Sequence, residues 1–399
     1  MNLNWKKVFN IVGKPQKLII GLMSGTSLDG LDIALCRIQG SGTSTRAEVI
    51  KFQTLGYEET FKDDIKEIFS KRLVDLEMLT IMNEKIALVH AEMVLKAIED
   101  WEMTPSDIDI IASHGQTIFH APRSLHLKNS YPNATLQIGD GDHIAVKTGI
   151  ITICDFRQKN IAAGGEGAPL AVYGDYLLFS KKDEERILLN IGGIANFTYL
   201  PADQISLKIF STDVGPGNTI MDHYVHKYYN NLQYDDQGKI AGSGIVNIEL
   251  LDALMDLQFF NAPFPKTTGP ELFNLDYLSA AQNRSGTAKL GNADVMATLN
   301  QFTAQVIIDA IRRCTRIEKQ TAIYFSGGGA HNVTLTNYIK AAFPTFKFDT
   351  TAALGVNPDA KEAILFALLA NETLAGETVA FGNNKMLPSI TMGKICLPF

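Results

Sequence analysis

Short apolar runs followed by glycine-rich polar turns recur along this chain. The apolar run at residues 18–20 precedes the sequence GLMSGTSLDGLD at residues 21–32, and a second apolar run follows at residues 33–36. This order predicts a strand, a turn and a return strand. Residues 187–200 repeat the same order, so the sequence predicts two similar hairpins and indicates a duplication.

Helical periodicity alternates with short apolar segments along the rest of the chain. The predicted helices lie at residues 57–69, 76–101, 219–229, 246–257, 295–314 and 359–371. Further strands are predicted at residues 108–112, 136–138, 150–154 and 322–325, and polar or glycine-rich turns at residues 114–117, 139–141, 213–218 and 326–329. Strands that alternate with helices predict α/β domains.

The chain of 399 residues is longer than one hydrophobic core usually supports. We therefore expect two domains of about 150 to 200 residues with a cleft between them. Residues 1–16 are interpreted as an extension, residues 17–150 with 374–399 as the first domain, and residues 151–373 as the second.

Composition excludes several functional classes. The chain has 46% hydrophobic and 20% charged residues, and 36 basic against 43 acidic side chains give a net charge of −7. Nothing in this balance indicates nucleic-acid or membrane binding. The four cysteines show no CxxC spacing, and the apolar run near the N-terminus is too short for a signal segment. These features predict a cytoplasmic protein with reduced thiols.

The first glycine-rich turn has the groups that bind phosphate. Ser24, Thr26 and Ser27 offer hydroxyls, and Gly25 and Gly30 can adopt positive φ, so that backbone N–H groups converge. The turn lacks the lysine and the following helix of a Walker loop. An ordinary hairpin turn is the structural alternative.

A phosphate site without a lysine needs a divalent cation. Asp29, Asp32 and Asp213 are suitably placed to hold the waters of Mg²⁺, although Asp29 before Gly30 also fits an Asx turn that closes the hairpin.

Four histidines lie close together in the sequence, at positions 114, 120, 126 and 143. Their spacing matches no zinc pattern, so we expect no structural metal there. His114 is followed by Gln116 and Thr117 at a predicted strand end, where it could bind a sugar hydroxyl or cap the strand.

Eight motifs together resemble the anhydro-N-acetylmuramic acid kinases, in the same order and across nearly the whole chain. The motifs are GLMSGTSLDGLD, SHGQTIFH, LQIGDGDHIA, DFR with AAGGEGAPL, NIGGIANFT, DVGPGNTIMD, FSGGGAHN and NPDAKEA. The resemblance implies the actin, Hsp70 and hexokinase fold, in which two ribonuclease-H-like domains close over ATP. It also implies a cytoplasmic enzyme of peptidoglycan recycling that is commonly a homodimer.

The resemblance implies that ATP and water convert 1,6-anhydro-N-acetylmuramic acid into the 6-phosphate while the anhydro bridge opens. ATP and Mg²⁺ are the implied cofactors, with Mg²⁺ near Asp29 or Asp213. The predicted nucleotide-binding residues are Gly25, Thr26, Ser27, Leu28, Asp29, Gly30, Leu31, Asp32, Gly192, Gly193, Asn196, Asp213, Gly215, Gly327, Gly328 and Gly329. The predicted sugar-binding residues are His114, Gln116, Asp155, Arg157 and Gly165, and the predicted catalytic positions are Asn160 and Glu166.

The chain departs from the family pattern where the base is expected. The family has an aspartate three residues after the arginine of DFR, and this chain has Asn160 there, with Glu166 in place of a glutamine. Val214 replaces a threonine of the family in DVGPGN. Because asparagine accepts no proton at neutral pH, the ordinary mechanism lacks its base.

Three explanations stay open. Glu166 could supply the carboxylate, although it could also merely form the hydrogen bonds of a glutamine. Asp155 could act instead, although pairing with Arg157 or an amide is its alternative role. The protein could also bind ATP and a sugar without this turnover, or phosphorylate another sugar.

Overall fold

The chain forms two compact units. The computed structural model describes residues 2–25, 28–128, 130–202, 209–229, 232–315, 320–355, 360–376 and 387–399. Unit 1 comprises Met1–Leu178 and Gly355–Phe399, and unit 2 comprises Phe179–Leu354.

Unit 1 consists of helices around a sheet whose strands come from both ends of the chain. Its helices are α1 (Leu3–Val12), α2 (Glu59–Ile68), α3 (Leu76–Asp100), α4 (Arg123–His126), α5 (Gly141–Thr148), α6 (Phe156–Ala162), α7 (Ala171–Phe179, at the boundary with unit 2) and α15 (Lys361–Ala375). Its strands are β1 (Gln16–Ser24), β2 (Gly30–Gln39), β3 (Arg46–Gly56), β4 (Ile110–Ala121), β5 (Ala134–Ile138), β6 (Thr152–Cys154) and β12 (Lys394–Cys396).

The strand order of the unit 1 sheet is β12-β6-β4-β1-β2-β3, with β5 paired to β4. Strands β1, β2 and β3 form an antiparallel meander, and β4 and β6 run parallel to β1. The order β3-β2-β1-β4-β6, a meander continued by two parallel strands, is the arrangement of ribonuclease-H-like domains. The predicted first hairpin is β1 and β2, which pair from Gln16–Gln39 to Ser24–Leu31.

Unit 2 repeats this topology. Its strands are β7 (Glu185–Ile191), β8 (Ile194–Leu200), β9 (Phe210–Pro216), β10 (Thr321–Ser326) and β11 (Lys347–Thr350). Its helices are α8 (Thr219–Tyr228), α9 (Lys239–Ser243), α10 (Ile248–Met255), α11 (Gln258–Asn261), α12 (Leu275–Ser285), α13 (Asn292–Cys314) and α14 (Val333–Ala342). The sheet order is β11-β10-β7-β8-β9, with β7, β8 and β9 antiparallel and β10 and β11 parallel to β7. The predicted class of two α/β, ribonuclease-H-like units is confirmed.

Two predicted turns are wrong because strands continue through them. Residues 114–117 lie within β4, since residues 116–121 pair with β5, and the register of β4 against β1 shifts around Gly115 (φ 71°). Residues 213–216 lie within β9, which pairs with β8 up to Pro216. In both cases the polar side chains contact other parts of the protein, so polarity alone did not indicate a turn.

The boundaries of the two units differ from those of the predicted domains. Residues 151–178 and 355–373 belong to unit 1, because β6 pairs with β4 and α15 packs against β1. The predicted N-terminal extension contains α1, and the side chain of Asn4 donates a hydrogen bond to the carbonyl of Pro398 (2.6 Å). Contacts distant in the sequence therefore attach both termini to unit 1.

Each unit has its own hydrophobic core around a long helix. Helix α3 contributes Met82, Ile86 and Val94 to the core of unit 1. Helix α13 buries most of its residues and contributes Val295, Leu299 and Phe302 to the core of unit 2. Every helix in the described ranges falls short of the length and apolar character that crossing a bilayer requires.

Gly21 allows α15 to approach the centre of the unit 1 sheet. A Cβ atom at Gly21 would lie 1.9 Å from the carbonyl oxygen of Ala363, so any side chain there must push the helix away. We expect Gly21→Ala to lower the free energy of unfolding by about 1–3 kcal/mol, the range for overpacking a close contact. Urea denaturation of the variant measures this difference. Gly13→Ala is the control, because its Cβ would meet nothing closer than 3.6 Å, and an equal loss in both variants would contradict the steric explanation.

Candidate active site

The β1–β2 hairpin of unit 1 contains the predicted nucleotide-binding residues of the segment 25–32. Gly25, Leu28 and Asp29 form its described turn, and Gly30, Leu31 and Asp32 begin β2. Thr26 and Ser27 lie outside the described residues. The structure thus places the predicted phosphate-binding segment at the end of two central strands.

The two carboxylates of this hairpin have partners within unit 1. The Oδ1 atom of Asp29 accepts a hydrogen bond from the N–H of the next residue, Gly30 (3.1 Å), whereas an Asx turn bonds the N–H two residues on. The Oδ1 atom of Asp32 accepts from the hydroxyl of Thr54 on β3 (2.6 Å). Both side chains thereby help to fix the start of β2.

A buried chain of hydrogen bonds lies behind the hairpin. The hydroxyl of Ser24 donates to Gln116, and the hydroxyl of Tyr57 donates to Ser24 (2.8 Å). The Tyr57 oxygen lies 2.8 Å from Nε2 of His90, and Nε2 of Gln116 donates to the carbonyl of Gly25 (3.4 Å). Burial lowers the pKa of His90 to about 4, so its ring is neutral at pH 7 and can donate through Nε2.

This chain connects Gln116 to the hairpin rather than to a free surface, because Gln116 is fully buried. Tyr57 and His90 were not among the predicted site residues. The available signal was a lone histidine on the apolar face of the predicted helix 76–101, a pattern that more often belongs to the core.

The turn after β6 brings together several predicted sugar-binding residues. Arg157 donates through Nε to Nε2 of His114 (2.9 Å) and through Nη1 to the carbonyl of Gly167 (2.7 Å). Burial, and secondly the charge of Arg157, lower the pKa of His114 to about 3. His114 is therefore neutral and accepts from the guanidinium, so the pair fixes the glycine-rich segment 164–167.

Asn160 has a structural position beside the same segment. Its Oδ1 accepts from the N–H of Gly167 (2.8 Å), and its Nδ2 donates to the hydroxyl of Tyr173 (3.1 Å). Only 2% of Asn160 is exposed, and a Cβ on Gly165 would lie 2.2 Å from its Oδ1. Both ends of the amide thus bind protein groups, and Gly165 must be small to pack against them.

Glu166 projects from the segment that Asn160 and Arg157 hold. It is partly exposed, whereas its neighbours Gly165 and Gly167 are buried. Burial and then Arg157 lower the pKa of His120, and Glu166 opposes this shift, which places its carboxylate near that ring. A carboxylate that reaches solvent beside the predicted sugar-binding residues is suited to proton transfer.

Asp155 does not pair with Arg157. It adopts a left-handed conformation (φ 55°), and its Oδ2 accepts from Nζ of Lys394 on β12 (2.5 Å). The suggested Arg157 pairing is therefore wrong, and the Asp155 carboxylate is engaged by a lysine near the C-terminus.

Glu362 on α15 is a further charged group of this region that the sequence analysis did not select. Burial raises its pKa, Arg157 opposes that effect, and Asp32 adds to it. Glu362 thus lies between the charges of the hairpin and of the β6 turn. Glu362 is the glutamate of the motif NPDAKEA, but nothing in the sequence indicated that the helix containing it packs on β1.

In unit 2, the β7–β8 turn is fastened to the start of α8. Gly192 accepts from the N–H of Asn218 (2.8 Å), and Gly193 accepts from the N–H of Gly217 (2.9 Å). A Cβ on Gly217 would lie 2.2 Å from the carbonyl oxygen of Gly192, so this approach requires glycine. The second hairpin therefore lies against a helix N-terminus, where backbone N–H groups favour anions.

Asn196 and Asp213 lie on neighbouring strands. They are register partners in the β8–β9 pair, and Oδ2 of Asp213 accepts from the N–H of Thr268 (2.9 Å). Burial raises the pKa of Asp213, and the Thr268 hydrogen bond opposes this effect. Gly215 packs against Val306, where a Cβ would lie 2.7 Å from the valine side chain. Its position indicates a packing role.

Gly328, the second of three glycines after β10, borders a cavity of about 900 Å³ within unit 2. Gly327 has φ 78° and lies against the end of β7, and the turn at residues 328–331 follows. The cavity is lined by Asn218, Met221, Asp222, Gln233, Tyr234, Asp235, Asp236, Gln237, Gly328, Ala330, His331, Asn332 and Val333. It thus joins the α8 N-terminus to the predicted Gly327–Gly329 group, and its volume suits a nucleoside.

Asp222 lines this cavity and was not among the predicted site residues. Burial raises its pKa to about 6, while His223 lowers this pKa by a smaller amount and Asp235 raises it by a smaller amount. Because folding raises this pKa, the folded state binds the proton more tightly, and ionisation above pH 6 costs stability.

We expect Asp222→Asn to raise the melting temperature above pH 6, and the gain to disappear as the pH falls from 6 towards 4. Thermal unfolding at pH 5 and pH 8 measures the difference. Asp252→Asn, an exposed change on α10, is the control, and a gain that does not depend on pH would contradict the explanation.

No group of three His, Cys, Asp or Glu side chains in the described part of the chain is arranged to hold a metal ion.

Comparison with known proteins identifies the family. Residues 17–383 match the family model described as anhydro-N-acetylmuramic acid kinase. The chain is 54% identical to the anhydro-N-acetylmuramic acid kinase of Pseudoalteromonas translucida over 99% of both proteins. It is 53% identical to that of Pseudoalteromonas atlantica over 100% of both, and 37% identical to that of Caldanaerobacter subterraneus subsp. tengcongensis over 98% of this chain and 100% of the relative. At this identity and coverage, the chain belongs to the anhydro-N-acetylmuramic acid kinase family.

Proposed function

We propose that this protein is an ATP-dependent kinase that converts 1,6-anhydro-N-acetylmuramic acid and water into N-acetylmuramic acid 6-phosphate in peptidoglycan recycling. The observation that carries the proposal is the match to the family over nearly the entire chain. Water attacks the anomeric carbon, the anhydro bridge opens, and the released 6-oxygen takes the γ-phosphoryl group of ATP.

In unit 2, the cavity beside Gly328 and Asn218 supports a site for the adenosine part of ATP. Its volume of about 900 Å³ accommodates a nucleoside, and its lining mixes apolar groups with amides and carboxylates. The turn at Gly192 and Gly193 lies against the N-terminus of α8, where the helix dipole favours phosphate oxygens. These residues would bind and orient the nucleotide.

In unit 1, the β1–β2 turn is the proposed phosphate-binding segment. The hydrogen-bond chain from His90 through Tyr57, Ser24 and Gln116 to the carbonyl of Gly25 fixes the entry into this turn. A fixed Gly25 would reduce the reorganisation needed to bind phosphate here, as electrostatic stabilisation of phosphoryl transfer requires.

The oxygen donors present fit Mg²⁺ carried by ATP. Asp29 or Asp213 would contact the ion, since carboxylates and waters are its preferred ligands. When bound, Mg²⁺ neutralises charge on the phosphate oxygens.

The glycine-rich segment in unit 1 is the proposed sugar site. Arg157 and Asn160 hold it from two sides, and His114 presents a neutral ring next to it. Hydrogen bonds from such fixed groups would orient the anhydro sugar for in-line transfer. Because the amide of Asn160 binds Gly167 and Tyr173 and takes up no proton, we assign the activation of water to Glu166.

Incubation of the purified protein with Mg·ATP and 1,6-anhydro-N-acetylmuramic acid tests the proposal. Mass spectrometry should detect the phosphosugar, with one oxygen from labelled water at the anomeric carbon, and an equal amount of ADP. ATP binding without any phosphosugar would favour the altered, non-catalytic alternative. Phosphorylation of another sugar without incorporation of water would favour an ordinary sugar kinase. We retain the cytoplasmic location and the homodimer as predictions, and light scattering of the purified protein tests the second.

A further inference from the structure

Two cysteines distant in the sequence meet at one edge of the unit 1 sheet. In the antiparallel pair of β6 and β12, Cys154 lies opposite Lys394 and Thr152 opposite Cys396. Because side chains alternate along a strand, Cys154 and Cys396 lie on the same face. Their Sγ atoms are 3.6 Å apart.

Gly141, the first residue of α5, covers both sulfur atoms. A Cβ there would lie 2.6 Å from Sγ of Cys154 and 2.8 Å from Sγ of Cys396. The thiols therefore lie at a helix N-terminus, an environment that stabilises a thiolate. The glycine permits this approach because a side chain would displace the sulfurs.

The two thiols are electrostatically unequal. The hydrogen bond from Cys396 lowers the pKa of Cys154, burial opposes this effect, and the N–H of Gly141 adds to the lowering. The same hydrogen bond, together with burial, raises the pKa of Cys396. Cys154 is thus the sulfur that ionises first, and Cys396 stays a thiol.

A small reagent has space to reach this pair. Both cysteines are 9% exposed and line a cavity of about 200 Å³ with His114, Asp155 and Lys394. Strand β12 has three residues and lies at the end of the described sheet, so a shift of this strand would disturb its pairing with β6 alone among the strands. An approach of roughly 1.5 Å would bring the sulfurs to the bonding distance of a disulfide.

We propose that Cys154 and Cys396 form a reversible disulfide when the protein meets hydrogen peroxide, and this inference does not rest on the proposed kinase reaction. The Cys154 thiolate attacks one peroxide oxygen and becomes a sulfenic acid, and the other oxygen leaves as hydroxide and takes up a proton to form water. Sγ of Cys396 then attacks the sulfenic sulfur, loses its proton and expels a second water. The two sulfurs lose two electrons in total, and the peroxide gains them.

The other two cysteines lack this arrangement. Burial raises the pKa of Cys36 to about 12, and its thiol donates to the carbonyl of Ala34. Burial also raises the pKa of Cys314 to about 12, and its thiol donates to the carbonyl of Ala310. Both are protonated at pH 7 and should react slowly with peroxide.

The test exposes the purified full-length protein to hydrogen peroxide, then counts thiols and maps disulfides by mass spectrometry after blocking. We expect the number of free thiols to fall by two in the wild type, which has four before treatment, and by two in Cys314→Ser, which has three. Both proteins should contain a Cys154–Cys396 disulfide that dithiothreitol reduces. In Cys396→Ser, Cys154 should instead accumulate sulfenic acid that dimedone traps. Cys154→Ser should form neither product.

Peptide mapping of the wild type decides the question even if a variant is unstable, and Cys396→Ala serves as a second variant at that position. A wild-type protein that retains four free thiols after treatment would overturn the proposal. So would a disulfide that includes Cys36 or Cys314, or a loss of two thiols that persists in Cys396→Ser.

Discussion

Glu166→Gln is expected to lower kcat by about 10²- to 10⁴-fold, the usual effect of removing a general base. Glutamine can form most of the hydrogen bonds of glutamate but accepts no proton, so the proposed nucleophilic water would lose its activating group. The KM for ATP should stay unchanged, because the nucleotide site assigned to unit 2 does not include this residue. Steady-state assays of phosphosugar and ADP measure both constants.

Two further variants make this prediction specific. Glu67→Gln changes an exposed glutamate on α2 and should retain full activity. Asn160→Asp in the Glu166→Gln background places a carboxylate back at the position of the family's base, and part of the lost rate should return. If Glu166→Gln keeps more than half of the wild-type kcat, Glu166 is not the base and forms only the hydrogen bonds of the family's glutamine.

Arg157→Met is expected to lower both stability and sugar binding. The change leaves Nε2 of His114 and the carbonyl of Gly167 without their donors, at about 1–3 kcal/mol for each unsatisfied group. We therefore expect the free energy of unfolding to fall by about 2–6 kcal/mol. The released glycine-rich segment should raise the KM for the anhydro sugar at least tenfold, or about 1.4 kcal/mol, and leave the KM for ATP unchanged.

Denaturant unfolding and initial-rate kinetics measure these two effects separately. Arg157→Lys keeps the charge but cannot reach both acceptors in the geometry of a guanidinium, so it should lie between the wild type and Arg157→Met. Lys159→Met is the control on the exposed side of the same helix. An equal rise of KM for ATP and for the sugar would show a general loss of folding rather than a local effect at the sugar site.

The sequence predicted the elements whose patterns are local. The apolar runs around residues 21–32 and 190–196 predicted both hairpins, because a strand, a glycine-rich turn and a return strand are readable over about 20 residues. Helices α3 and α13 were predicted nearly to their ends, since their apolar periodicity is long.

The predictions failed where a polar side chain was bound by a distant partner. Gln116 is a polar residue after an apolar run and was assigned to a turn, yet it is buried in β4 through its bonds to Ser24 and Gly25. The domain boundary at residue 373 was likewise wrong in placing α15, because its close packing at Gly21 depends on a contact more than 300 residues away. Neither partner is visible in the local pattern.

The candidate site divides in the same way. The sequence alone predicted the phosphate-binding and glycine-rich segments and located Asn160 at the position of the family's aspartate, because these depend only on residue type and spacing. The tertiary structure decided that Asn160 binds Gly167 and Tyr173 while Glu166 reaches solvent, that Asp155 pairs with Lys394, and that Cys154 meets Cys396. Hydrogen bonding, burial and the proximity of two sulfurs arise from long-range packing, which a linear pattern does not contain.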